Sequence, residues 1–349
     1  MLVYWLMLLV PSWAALERRR LRESQSKLVW FFTGLIFTVV IGLRSWVGGD
    51  WHAYSELFMW AGTLPFAEVN RQLGDPGYYG LGWIIARAGG NIYLLNLACA
   101  ALLIAGTFSL ARRQPSPWLA IVAAVPYLLI VVGMGYTRQS AAIGLSMLAF
   151  VALGDGRMRA FVIWILLATL FHKTAIILIP IAALSVSKRR IWTVLWSGAI
   201  FAVAALQFAS DSTEALWANY VESDYADASQ GAGIRVAMNV IPAILLFLFR
   251  SKLFPEPGER RLWTLIALLS VLSVGFLSVS ATAADRLALY FIPLQLVVFS
   301  RFHRVLPTPL GRTAVVLGVI FYYAFVQFVW LNYAGHSFAW VPYNFMRVW

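Results

Sequence analysis

Long apolar runs, separated by short polar segments, occupy most of this 349-residue chain. Hydrophobic residues make up 61% of the sequence and charged residues only 12%, a composition too apolar for a soluble globule. Backbone inside hydrocarbon must satisfy its own hydrogen bonds, and a helix does so within one segment. The pattern therefore predicts an all-α, polytopic integral membrane protein, with a single transmembrane domain over residues 1–349.

The run lengths predict about 10–12 transmembrane helices, several of them short. The apolar runs lie at residues 2–16, 28–43, 91–110, 118–134, 140–153, 161–184, 191–209, 234–249, 262–283, 287–299 and 313–332. A shorter apolar stretch at residues 78–86 cannot cross about 30 Å of hydrocarbon as a helix. We expect it to be re-entrant or interfacial, with Asp75 and Pro76 as its N-terminal cap.

The formal net charge of +12 comes from short basic clusters between the apolar runs, not from a stripe or a tail. This arrangement argues against nucleic-acid binding and follows the positive-inside rule if all the clusters are cytoplasmic. The predicted cytoplasmic loops are residues 17–27, 155–159, 187–190, 250–261 and 301–312, and the predicted external loops are residues 44–75 and 210–233. A single cysteine, Cys99, allows no intrachain disulfide.

Residues 44–54 hold more chemistry than a membrane exit requires. Interfacial anchoring explains the tryptophans of this stretch and also Arg44, but it does not explain Asp50. Asp50 and Tyr54 are four residues apart and would share one face if a helix resumes after the paired glycines. We interpret this stretch as a shaped site on the external side.

Three further polar groups are predicted at the outer boundary or partway toward it. Arg138 and Gln139 stand at the start of an apolar run, where a ligand role and simple snorkelling are both open. A tight external turn is predicted at Asp285 and Arg286.

The third group, His172 and Lys173, lies at the midpoint of the run at residues 161–184, which has basic flanks on both sides. A single crossing would bury a cation in hydrocarbon, at a cost of about 2.5 to 3.5 kcal/mol or more. Two short helices that meet at His172 avoid this cost and keep both flanks inside.

Five separated motifs, in a fixed order, resemble the EpsG family, a group of Wzy-like exopolysaccharide polymerases. The motifs are Gly42-Leu43-Arg44 with Val47-Gly48-Gly49-Asp50 and Tyr54, then Asp75-Pro76-Gly77-Tyr78, Tyr136-Thr137-Arg138-Gln139, Phe171-His172-Lys173-Thr174-Ala175, and Asp285-Arg286 with Tyr290-Phe291. Asp75 and Asp285 stand where Glu is more usual in the family pattern, so the charge is kept.

The resemblance implies a polymerase that transfers a glycan from an undecaprenyl-pyrophosphate donor to a lipid-linked acceptor at the outer leaflet of the bacterial inner membrane. A chain-length regulator and export machinery are possible partners. Arg44, Arg138 and Arg286 are expected near the pyrophosphate. For the base, His172 is preferred to Asp50, which is expected to hold Arg44 in place. The remaining substrate-binding candidates are Tyr54, Asp75, Gln139, Lys173 and Asp285.

No metal or cofactor is expected, because no Asp-x-Asp, His-x-x-x-His or Glu-x-x-His spacing connects the acids and histidines. Two other functions stay open. One is a membrane glycosyltransferase that uses polyprenyl-phosphate sugars, for which Asp50 and Glu56 would be a poorly spaced acidic pair. The other is a transporter or flippase for a lipid-linked glycan, although the sequence has no obvious inverted repeat.

Overall fold

The computed structural model describes residues 1–17, 23–181, 232–278 and 281–346, and this part of the chain is built from helices without any β-strand. The helices are α1 (Leu2–Leu16), α2 (Glu23–Gly42), α3 (Trp51–Thr63), α4 (Phe66–Leu73), α5 (Pro76–Arg87), α6 (Ile92–Arg112), α7 (Pro117–Gly135), α8 (Thr137–Gly154), α9 (Met158–Phe171), α10 (Ala232–Leu253), α11 (Pro257–Phe276), α12 (Ala281–Ala288), α13 (Pro293–Phe302) and α14 (Pro309–Tyr333). The prediction of an all-α membrane protein is confirmed.

Four of the described helices, α6, α7, α10 and α14, are long and apolar enough to cross a membrane. A fifth candidate is the pair Ala281–Phe291 and Pro293–Val305, which is bent by 47°. Shorter apolar helices, such as α1 and α9, accompany them. The chain is therefore a multi-pass membrane protein, and the full number of crossings stays a prediction.

Helix starts follow ordinary capping chemistry. The side chain of Asn91 accepts a hydrogen bond from the Leu94 N–H at the start of α6, and Thr308 does the same for Gly311 at the start of α14. Proline occupies the first position of α5, α7 and α14, where its missing N–H costs nothing.

Helix α7 is the centre of the described structure. Residues of its span are 94% buried, whereas α14 is 22% buried by the same measure and faces outward along most of its length. Its middle part, residues Val125–Val132, is π-helical. Pro126, the second residue of this part, has no N–H to donate to the hydrogen bonds of the helix. A completely buried, apolar helix of this kind provides a fixed base for the segment that begins α8.

Helices α6 and α8 cross in close contact through two glycines. A Cβ added at Gly106 would overlap the carbonyl oxygen of Gly144, and one added at Gly144 would overlap that of Leu102. Small residues at helix crossings permit this approach in membranes. The crossing holds α8, whose first turn contains Arg138.

Two predicted loops are helical instead. Residues 44–75, predicted as an external loop, contain α3 and α4, and the tight turn predicted at Asp285 and Arg286 is part of α12. The predicted tight turn was wrong, whereas the external position of residues 44–75 stays a prediction. Polar, aromatic-rich segments can form helices when one face packs against the bundle. The predicted break at His172 is confirmed, since α9 ends at Phe171 and a 3₁₀ turn, Lys173–Ile177, follows.

The predicted loops at residues 187–190 and most of residues 210–233, and the run at residues 191–209, lie outside the described residues.

Candidate active site

The segment between α2 and α3 delivers Asp50. Gly48 has a φ of 107°, and a Cβ there would overlap the carbonyl oxygen of Met134, so this position requires glycine. Asp50 occupies the N-cap position of α3 without a side-chain capping bond, while its carbonyl accepts the Tyr54 N–H. The Asp50 carboxylate therefore does not cap the helix, and it lies at the surface.

Arg44 lies inside the protein and makes its bonds there. It is 2% exposed, and its guanidinium donates to the carbonyls of Val47 and Ile41 and to Thr137 Oγ1, at 3.1, 2.7 and 2.9 Å. Burial lowers the pKa of Arg44 to about 10, so it stays charged at neutral pH. The predicted contact of Arg44 with phosphate, and its predicted anchoring by Asp50, do not fit this geometry.

Arg138 lies in the first turn of α8 and forms an ion pair with Asp75 across a distance of 2.8 Å. The rings of Tyr54 and Tyr79 lie 5.7 and 5.5 Å from its guanidinium carbon. The Arg138 Nε–H is buried and has no acceptor among the described residues. Arg138 is thus held on two sides and keeps a donor unused.

Asp75 connects three segments at this point. As predicted, it occupies the N-cap position of α5, with Pro76 in the first turn; its φ is 38° and its side chain makes no capping bond. The carboxylate instead binds Arg138 and accepts the Lys173 backbone N–H. The start of α5 approaches the end of α9 closely, because a Cβ at Gly77 would lie 2.9 Å from Leu170 Cβ. The position of Asp75 is therefore explained by a structural role, which is to connect the start of α5 to Arg138 and to the segment after α9.

Asp50 faces two cations instead of Arg44. The guanidiniums of Arg286 and Arg138 both favour its ionised form, yet loss of hydration within the surrounding protein outweighs them and raises the pKa of Asp50 above its usual value. A carboxylate with a raised pKa is a better proton acceptor than an ordinary surface aspartate.

His172 follows the C-terminal end of α9 and is buried. Its Nδ1 lies 2.7 Å from Thr174 Oγ1 and 3.3 Å from Tyr290 Oη. The positive charges of Arg138, Arg286 and Lys173 also act on this ring. The imidazole therefore contacts two hydroxyls at Nδ1 and lies among cations, while adjacent Lys173 is half-buried.

Helix α12 brings the late Asp-Arg motif to the same region. Asp285 is buried and forms a two-pronged ion pair with Arg235 of α10, at 2.7 and 2.8 Å. Gln139 donates to the backbone carbonyl of Arg286 at 2.6 Å. Asp285 and Gln139 thus hold α12 in place, and the structure brings together Asp50, Arg138 and Arg286 from three separate elements.

The sequence interpretation missed Arg235, Thr174 and Tyr290 as members of this region. Thr174 and Tyr290 stood within quoted motifs, so their positions gave a signal, whereas Arg235 stood alone at the start of an apolar run. In the part of the chain that the structure describes, no three His, Cys, Asp or Glu side chains form a group that could hold a metal ion.

A family model described as the EpsG family matches residues 27–345, which is nearly the whole chain. No curated protein and no solved structure matches the chain.

Proposed function

Since the chain belongs to the EpsG family, whose members are Wzy-like polysaccharide polymerases, we propose that it polymerises lipid-linked oligosaccharides. The donor is a glycan on undecaprenyl pyrophosphate, and the acceptor is a repeat unit on a second lipid. The site faces the periplasm or exterior from a bacterial inner membrane, in the synthesis of an exopolysaccharide, a capsule or an O-antigen. A chain-length regulator and export machinery belong to the same proposal as partners.

One observation carries the proposal. A surface carboxylate, Asp50, faces the guanidiniums of Arg138 and Arg286, which come from two different helices. Glycan transfer from a pyrophosphate needs this combination, because an acceptor hydroxyl must lose a proton while the leaving group gains negative charge.

The transfer step has a simple balance. The acceptor hydroxyl oxygen attacks the anomeric carbon of the donor sugar and forms the new glycosidic bond. The bond from that carbon to the pyrophosphate oxygen breaks, and its electron pair stays on the pyrophosphate. The hydroxyl proton passes to Asp50, and no oxidant or reductant takes part.

The arginines divide into two roles. Arg138 and Arg286 bind the leaving pyrophosphate, and the Arg138 side chain is 27% exposed, so the terminal N–H groups of its guanidinium that Asp75 does not occupy can donate to phosphate oxygens. Arg44 is a positioning residue, because it connects the carbonyls of Ile41 and Val47 to Thr137, the neighbour of Arg138. The base is Asp50 and not His172, because His172 is buried and its Nδ1 already contacts the hydroxyls of Thr174 and Tyr290, whereas Asp50 lies at the surface.

The aromatic and polar residues around these charges complete the site. The ring of Tyr54 lies against the guanidinium of Arg138, and Tyr54 is also close enough to Asp50 to feel its charge. In this position the ring limits the access of water to the Arg138 guanidinium. Lys173 supports Asp75 through its backbone and adds positive charge near His172.

The test uses purified protein in vesicles, with lipid-linked repeats extracted from a strain that lacks the gene. We expect polymer from the wild-type protein and none from Asp50→Asn. Accumulation of repeats in the deletion strain, with loss of polymer, supports the proposal. Addition of single sugars from polyprenyl-phosphate donors instead would favour the other class of glycosyltransferase.

We also expect the rate to be unchanged in excess chelator, because two guanidiniums take the part that a divalent cation plays in many sugar transfers. Loss of activity in chelator, restored by Mg²⁺ or Mn²⁺, would contradict this mechanism and make Asp50 a metal ligand.

A further inference from the structure

The C-terminal segment, residues 334–346, returns from the end of α14 to the loop that delivers Asp50. An antiparallel β-bridge joins Arg44 to Phe345. Three backbone hydrogen bonds belong to this contact: Met346 N to Leu43 O at 2.8 Å, Ser45 N to Asn344 O at 2.9 Å, and Gly48 N to Ala339 O at 2.8 Å. The loop at residues 43–48 is thus fixed by the opposite end of the chain.

Trp340 anchors this segment in the bundle. Its side chain is 4% exposed, and its Nε1–H donates to the carbonyl of Ile130 in the π-helical part of α7 at 3.1 Å. The hydroxyl of Tyr4 donates to the Trp340 carbonyl. An interfacial tryptophan that anchors a protein in the headgroup layer exposes its ring, as Phe338 does at 75% exposure, so anchoring does not explain Trp340.

Trp340 lies at the junction of the two halves of the candidate site. A Cβ at Gly135 would lie 2.5 Å from a carbon of the indole ring, so the ring packs directly on the backbone just before Arg138. Gly48 packs on the carbonyl of Met134, the residue before Gly135, and its N–H donates a hydrogen bond to the Ala339 carbonyl. The tryptophan therefore touches the last residue of α7, two residues before α8 begins, and its segment supports the loop that carries Asp50.

We propose that Trp340 is a positioning residue of the polymerase site, which sets the placement of Asp50 relative to Arg138. The inference rests on the proposed function. A base and a leaving-group cation must be placed together, and a displacement of about 1 Å costs on the order of 100-fold in rate. Substrate affinity depends less on this placement than the chemical step does.

The first test compares Trp340→Ala and Trp340→Phe with Phe338→Ala, a control in the same segment. For polymerisation of extracted lipid-linked repeats, we expect Trp340→Ala to lower kcat by about 10- to 100-fold with KM changed by less than about threefold. Trp340→Phe keeps a ring on Gly135 and should retain most activity. Wild-type kcat in Trp340→Ala, or equal losses in Phe338→Ala, would overturn the proposal.

A double-mutant cycle tests the contact itself. Gly135→Ala places a methyl group into the indole ring and should lower kcat. In the Gly135→Ala, Trp340→Ala double variant, that overlap is gone, so its kcat should be no lower than that of Trp340→Ala alone. Simple addition of the two losses would show that the residues act independently and would contradict the proposal.

A labelling experiment separates this inference from the proposed function. Ser45 is 7% exposed, and a cysteine introduced there by Ser45→Cys, in a Cys99→Ala background, should resist maleimide in the full-length protein. It should become reactive when Trp340 is replaced by alanine, whatever reaction the protein performs. If the introduced cysteine stays unreactive in the Trp340→Ala variant, the positioning role is overturned, whereas absence of polymer from the wild-type protein would overturn only the proposed function.

Discussion

At the scale of single residues, the two carboxylates near Arg138 differ in their partners. Asp75 is bound to Arg138 and to the Lys173 N–H, so its side chain has structural partners on two segments. Asp50 lies at the surface and faces cations of two helices without a side-chain capping bond. The difference favours Asp50 as the proton acceptor of the proposed reaction, and it makes Asp75 the support of Arg138.

The pH dependence of the reaction should reflect Asp50. A base must be ionised to accept a proton, so we expect kcat to fall as the pH drops through the pKa of Asp50. Because that pKa is raised, the midpoint should lie above the ordinary carboxyl value of about 3.9. The measurement is kcat across the acidic and neutral range in vesicles.

Asp50→Glu should keep this acidic limb, and His172→Gln should lower kcat without removing it. If the limb disappears in His172→Gln and persists in Asp50→Asn, His172 is the base after all.

Arg138 should not tolerate lysine. An ammonium cannot keep both the Asp75 pair and a planar two-pronged contact with phosphate oxygens, so Arg138→Lys should lower kcat by about 10²- to 10³-fold. Arg71→Lys is the matched control, since Arg71 also pairs with a carboxylate, that of Glu68, but is 77% exposed. Wild-type activity in Arg138→Lys would mean that point charge alone is sufficient there.

At the scale of helices, the crossing of α6 and α8 determines where Arg138 lies. Gly106→Ala forces a methyl group against the Gly144 carbonyl, which should destabilise the protein by about 1 to 3 kcal/mol. Gly318→Ala in α14 has open space and should be neutral or slightly stabilising, by up to about 1 kcal/mol. Thermal unfolding in detergent compares the two, and equal melting temperatures would show that the crossing can relax.

The helices themselves were largely predictable, because apolar runs and the cost of a buried cation act locally. The break at His172 followed from the charge of Lys173 in the middle of a run. A helix at α3 was expected only conditionally and α4 was missed, because their apolar faces are short and their partners lie elsewhere in the chain.

The pairing of charges was less predictable than the helices. Arg235 and Asp285 are 50 residues apart, and neither segment has a sequence feature that identifies the other residue as its partner. Arg44 shares its motif with Asp50, yet tertiary packing turns it to Thr137. Sequence order thus identified the residues of the region, whereas their partners depended on how α8, α10 and α12 pack.

At the scale of the whole molecule, charge is divided between the two ends of the bundle. The candidate site lies at one end, and the predicted cytoplasmic clusters contain the pairs Arg113–Asp155 and Arg301–Glu259. Arg301, predicted as part of a surface cluster, is instead 8% exposed and also binds Gln114. It therefore supports packing of α13 on its neighbours.

This division predicts the topology. Cys99 is fully buried and can be replaced, so single cysteines report on one position each. Cysteines at Ser55 and Ser337 should react with a membrane-impermeant maleimide in intact cells, because both lie at the end that holds Asp50. A cysteine at Ser116, before α7, should react only after the membrane is opened.

A cysteine at Ser187, outside the described residues, should behave like the one at Ser116 if the chain turns back after His172. Labelling of Ser187 in intact cells would make residues 161–184 a single crossing, and labelling of Ser116 would reverse the orientation and place the site in the cytoplasm, where the proposed periplasmic polymerisation could not occur.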